Sequence, residues 1–147
     1  MSATTAAATS GKVDLLKGDT DFDNAADAIK AALIKTSMAG TYGAASTNYS
    51  DITGNSDEAS GSGYSAGGNT LTNVNPTSSG TTAYTDFSDT QWTTATISAR
   101  AVMLYNSSNS NAAVSVHDFG ADKSSSAGTF TIQFPTADAS NAIYRLA

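Results

Sequence analysis

The stretch Thr94 to Tyr105, TATISARAVMLY, decides the fold. It is rich in β-branched, small and aromatic residues (Thr96, Ile97, Ala99, Ala101, Val102, Leu104, Tyr105) that suit a pleated sheet. Asn106 to Asn111, NSSNSN, has the composition of a hairpin loop. Ala112 to Phe119 then alternates, with Ala112, Val114 and Val116 on one face and Ala113, Ser115 and His117 on the other. Gly120 to Gly128 reads as a second turn. Thr129 to Phe134 alternates again through Phe130, Ile132 and Phe134, and Ala142 to Leu146 is a last strand. Short strands separated by turns about every 8–12 residues indicate an all-β domain, a β-sandwich or a jelly-roll-like barrel.

Upstream the pattern is weaker. Residues 81–92 read as irregular or edge-like and end in Gln91-Trp92; Pro76 to Gly80 is a turn, and Thr70 to Val74 alternates. Residues 53–70 are loop, dense in Gly, Ser, Asn and Asp, and residues 43–51 suit a short helix with Tyr49 and Ile52 turned inward. Ala25 to Thr36 is ambiguous. Ala25, Ala28, Ile29, Ala32 and Leu33 follow helical spacing behind a capping Asp23 or Asn24, yet Ile29 to Ile34 also suits a strand. Val13 to Leu16 is a brief strand-like apolar stretch stopped by Gly18-Asp19. Residues 1–12 form a low-complexity, extended arm of Ser, Ala and Thr, and residues 13–147 a single β domain. An arm of this composition cannot order itself by burial; it frays or lies along a neighbouring subunit.

Composition narrows the function. In 147 residues there are only 6 Ile, 6 Leu, 5 Val and 5 Phe, against 21 Ser and 21 Thr, so the core is lean and neighbouring subunits are expected to support it. Absence of Cys removes disulfides, thiolate metal sites and a Cys nucleophile. No apolar run approaches the roughly 18 residues of a spanning helix, and Met1 to Ser10 lacks the features of a signal peptide, so no membrane partner is expected. A net charge of −6 argues against nucleic acid, whose phosphates are bound by Lys and Arg.

The motifs that carry chemistry elsewhere fail here. Asp19, Asp21 and Asp23 open like a calcium loop, but Asn24 and Lys30 stand where Gly and Glu are needed. Gly61-Ser62-Gly63-Tyr64-Ser65-Ala66 matches a dinucleotide fingerprint in letters only, since polar loop precedes it and Gly67-Gly68 follow. His117 is the sole histidine, with Asp118 beside it, and supports neither a triad nor a metal site. Asp residues cluster in turns and Glu58 is the only Glu, a poor basis for a glycosidase pair. Asn48 and Asn106 open glycosylation patterns with nothing to suggest secretion. Trp92 and the tyrosines supply buried area first and a sugar platform second. No catalytic residue, cofactor, metal or small-molecule substrate is expected.

The segments in series resemble a group of small tailed-phage virion proteins. Leu15-Leu16-Lys17-Gly18-Asp19, Asp21-Phe22-Asp23, Ile29 to Leu33 and Tyr49-Ser50-Asp51-Ile52 are similar to its first half. Gly61 to Gly68 with Leu71 is similar to its middle loop. Trp92, Ile97 to Tyr105, Asp118-Phe119-Gly120 and Gly128 to Ile132 are similar to its C-terminal half. The likeness spans roughly residues 13–134; the long arm and the Ala-rich stretch Ala25 to Ala32 depart from it. The resemblance implies a strand at Ile29 and a structural protein that decorates and cements the phage head by binding the major capsid protein. It would sit on the head surface, be assembled in the bacterial cytoplasm and pair with copies of itself, a homotrimer among the options. A tail, head-fibre or connector component, or a carbohydrate-binding or receptor-binding module, is the alternative. The expected contact residues are Thr4, Thr5, Thr9 and Lys12 of the arm, Tyr64 of the Gly-rich loop, Trp92 and Arg100, the last, flanked by apolar strand residues, being expected in a structural ion pair or an inter-subunit contact. Deleting residues 2–12 is expected to weaken attachment and leave the isolated fold intact.

Overall fold

The computed structural model describes residues 1–23 and 26–147, so Asn24 as a cap and Ala25 as a helical position lie outside the described residues. In chain order the elements are β1 (Ser2–Ala3), β2 (Ala6–Ala7), α1 (Thr9–Lys17), β3 (Ile29–Ile34), β4 (Thr41–Tyr42), α2 (Ser50–Gly54), β5 (Asn69–Thr70), β6 (Asn73–Ser79), β7 (Thr82–Phe87), β8 (Thr90–Asn106), β9 (Ala112–Ile132) and β10 (Tyr144–Leu146). The protein is all-β and sandwich-like. A five-stranded sheet in the order β2-β9-β8-β3-β5 forms its centre, and a three-stranded sheet, β10-β7-β6, packs against one face.

The TATISARAVMLY stretch is the middle of β8, which pairs antiparallel with β9 along the length of both strands and with β3 from Ala101 to Asn106. Ile29 to Ile34 is a strand despite its helical spacing. Ile29, Ala31 and Leu33 enter one apolar cluster and Ala32 and Ile34 the other, so the segment is central and covered on both sides. The first cluster lies between the two larger sheets and holds Phe22, Phe87, Trp92, Phe130 and Ile132. The second, around Tyr42, Ile52, Met103 and Val116, is covered by the chain from β4 through α2.

Several sequence expectations are corrected. Gly120 to Gly128 is not a turn but a continuation of β9, with the four residues Phe119 to Asp122 set opposite the single Arg100 of β8. That bulge explains why β8 changes phase: Ile97 and Ala99 face the first cluster, and after Arg100 so do Val102 and Leu104. A smaller irregularity beside Ala113 breaks the expected alternation, sending Val114 to the first cluster and Ala113 and Val116 to the second. Residues 82–87 form a paired strand rather than irregular chain, Pro76 lies inside β6, and the short helix is at 50–54 rather than 43–51.

The largest correction is at the N-terminus. Val13 to Leu16 is helical, and α1 begins inside the arm at Thr9. Gly18, at φ 81°, closes the helix, its amide donating to the Leu15 carbonyl and the Asp19 amide to that of Asp14. Gly11 has no side chain because α1 lies directly on β9: a Cβ there would stand 2.6 Å from the Ala113 carbonyl oxygen. The arm is therefore strapped to its own domain, β1 parallel to β4 and β2 antiparallel to β9, with Ala8 fully buried. Removal of residues 2–12 would cut into the fold rather than spare it.

Candidate functional site

Among the described residues, ionisable side chains around Asp57 and Glu58, around His117 and Asp118, and at Asp86 are bonded into the fold. Asp57 and Glu58 close the loop that follows α2, where Lys35 donates its amide to the Asp57 carbonyl and Ala59 its own to that of Leu33. The Asp57 carboxylate is fully buried and accepts from the Ala39 amide (2.9 Å), the Gly40 amide (2.7 Å) and the Tyr42 hydroxyl (2.5 Å), with Lys35 Nζ at 3.1 Å. Burial pushes this carboxyl up, but the donors outweigh it and bring it down to about 2. Tyr42, buried and facing that carboxylate, is pushed up to about 12.

Glu58 accepts from the Tyr49 hydroxyl at 2.5 Å, the Tyr64 hydroxyl at 2.8 Å and the Gly67 amide at 2.6 Å. Tyr64 oxygen in turn accepts from the Leu33 amide, Tyr105 donates to the Gly67 carbonyl, and the Tyr49 and Tyr105 rings stack at 4.6 Å. Burial, then the Glu58 carboxylate, raises the hydroxyls of Tyr49 and Tyr64. The Gly-rich loop is thus locked down as structure. Tyr64 packs on the buried Trp92, ring centroids 5.6 Å apart, and Trp92 is 4% exposed. Trp92 is a core residue, as the reading of the aromatics as buried area expects, and not the surface contact set beside that reading; Tyr64 is the anchor of its loop.

On β9, Ser115 and His117 point the same way, with Ser115 Oγ 2.8 Å from His117 Nε2. Ser115 is 2% exposed, so its hydroxyl is shielded from solvent. Burial pushes the imidazole down to about 4. Asp118 is turned to Arg100 Nε at 2.8 Å and to the Gly120 amide, clamping the bulge, and Arg100 holds its carboxyl below the usual range. Serine, imidazole and carboxylate are therefore neighbours in sequence without the geometry of a triad. Asp86, fully buried, accepts from the Phe87 amide and more weakly from that of Ile143 at 3.3 Å; burial raises it. Among the described residues no three acidic, His or Cys side chains are grouped to hold a metal ion, and no helix is long and apolar enough to cross a membrane.

The N-terminal segment faces outward. Its main chain is engaged: Thr4 N donates to the Tyr42 carbonyl (2.9 Å), Thr9 N to that of Ala44 (2.8 Å), and Thr5 Oγ1 accepts from the Asp118 amide (3.0 Å). The residues Thr4, Thr5, Thr9 and Lys12 are nonetheless exposed. Alongside them stand Val13 and Leu16, 45% and 85% exposed, which the sequence pattern had placed in a strand. Helical spacing would have exposed them: Thr9, Lys12, Val13, Leu16 and Lys17 share one face, with Gly11 opposite. No family model, curated protein or solved structure matches the chain.

Proposed function

We propose that the chain is a virion structural protein of a tailed phage, which decorates and cements the head by binding the outer surface of the major capsid protein shell alongside copies of itself. Its carrying observation is the division of labour among side chains. The buried or clamped ionisable groups Asp57, Glu58, Arg100, His117 and Asp118 are committed to internal bonds, while the exterior is mostly Ser, Thr, Asn and Ala with one apolar helix face. Sparse charge lowers the desolvation cost of a large contact, and short side chains allow close approach. Adhesion is the chemistry such a surface offers. The ordered likeness to phage virion proteins across residues 13–134 gives that adhesion its setting. Gold-labelled antibody against the full chain, applied to intact particles, is the test. Label spread over the head is the expected result; label confined to the tail, or absent from the particle, would overturn it.

A further inference from the structure

The outward face of α1 is inverted for a helix docked on a β domain. Gly11 and the half-buried Leu15 turn inward, while Val13 and Leu16 turn to solvent between Lys12 and Lys17. Leu146 of β10, 55% exposed, shares one groove with Lys12 and another with Leu15 and Asp21. The edge of β10 away from β7 carries no strand among the described residues. This face holds two of the seven cations of a chain with net charge −6, and no acid falls between them on that side of the helix. Directly after the capping Gly18 come Asp19, Asp21 and Asp23, all exposed.

We infer that the outward face of α1 (Lys12, Val13, Leu16, Lys17, with Leu146) is the surface by which one copy of this chain seats on the acidic loop 19–23 of a second copy, head to tail. Charge selects the partner: a basic-rimmed apolar face on an acidic protein finds its complement on another molecule of the same kind. Charge also selects the geometry. Packing one α1 face on another would bring Lys12 of one helix against Lys17 of the other, whereas setting the face on the acidic loop puts lysines on aspartates, and repeated head to tail this contact closes into a ring or extends. Three apolar side chains are few beside the roughly 800 Å² per partner of a stable interface, so the isolated chain associates weakly and gains strength when copies are held side by side. This rests on the proposal of a self-associating coat component, but it is tested without the shell, so its failure leaves attachment to the shell untouched.

The experiment is sedimentation velocity on the full chain from about 10 to 500 µM, at low salt and at about 0.5 M, where exposed charges are screened. Self-association that weakens in salt is expected, growing past the dimer to a discrete ring or a longer series. Leu16→Glu should weaken it by about tenfold or more, as should the pair Lys12→Glu and Lys17→Glu. Adding Asp19→Lys and Asp21→Lys to that pair should restore it. Leu16 and both lysines are exposed, and circular dichroism on each variant confirms the fold; Val13→Ser is the second apolar probe. A chain that stays monomeric at low salt, stops at a dimer, or associates equally well with Leu16→Glu would overturn the proposal. So would a monomer that instead sediments with anionic phosphatidylglycerol vesicles, which would make the face a membrane contact.

Discussion

Asp57 shows how much one residue organises. Its carboxylate gathers two backbone amides, a phenol and an ammonium from the chain between Lys35 and Tyr42, and it has no exposed surface. Asp57→Asn keeps the shape but turns one acceptor into a donor facing amides that also donate. We expect it to cost about 3 kcal/mol or more at neutral pH, read from urea unfolding, because buried donors lose a charged acceptor. Gly68 is a steric counterpart. Its φ is +71°, and a Cβ there would run into the Ala31 carbonyl of β3. Backbone cannot move aside as a side-chain tip can, so Gly68→Ala should destabilise by more than about 2 kcal/mol. Gly80, also at positive φ but with open space around it, should tolerate alanine at about 1 kcal/mol.

At the scale of elements, β1 and β2 are straps of two paired residues each, held largely by backbone bonds to β4 and β9. A chain begun at Ala8 should fold, because Ala8 and Gly11 keep their places, yet lose about 1–3 kcal/mol and open the β9 edge. The Asp118 amide, bonded to Thr5 Oγ1, should then exchange with solvent about tenfold faster or more; unchanged protection would show that the strap does not hold that edge. Why these straps escaped the sequence is instructive. Ser2 to Ala7 has no side chains that mark a partner, and backbone pairing leaves no trace in composition. The helix α1 hid for another reason: Val13 and Leu16 point outward, and the inward side holds only a buried glycine and the half-buried Leu15, so apolar periodicity read backwards. Ile29 to Ile34 was legible once a covered central strand was allowed, since both faces need apolar residues. β8 and β9 were legible throughout, except at the bulge, where Gly120 imitates a turn and the phase of the strand slips opposite Arg100. The Asp57 and Glu58 hubs gave no signal, since a carboxylate in a loop looks alike whether solvated or surrounded by donors.

Across the whole molecule, two apolar clusters lean on one central sheet, and the thin supply of large aliphatics is supplemented by rings and by satisfied polar hubs. Such a fold should respond to acid in two steps. The imidazole of His117 is pushed from 6.5 down to about 4 by burial. Below pH 6.5 the unfolded chain takes up a proton that the folded one refuses, so stability falls as pH drops from about 6.5 to 4, by up to about 3 kcal/mol. Asp57 has the opposite sign of preference, holding its charge from 3.8 down to about 2. Its contribution is complete above about pH 4 and is lost between there and pH 2, about 2 kcal/mol more. Asp86 works against both, since burial raises its carboxyl and protonation relieves it, which softens the loss on the acid side. Urea unfolding at pH 7, 5, 4 and 2.5 should resolve the steps. His117→Gln should flatten the first without touching the second, and Asp57→Asn the reverse. Equal stability of the unaltered chain at pH 7 and pH 4 would mean that the imidazole is as well solvated folded as unfolded, and that β9 does not hold it as the Ser115 contact requires.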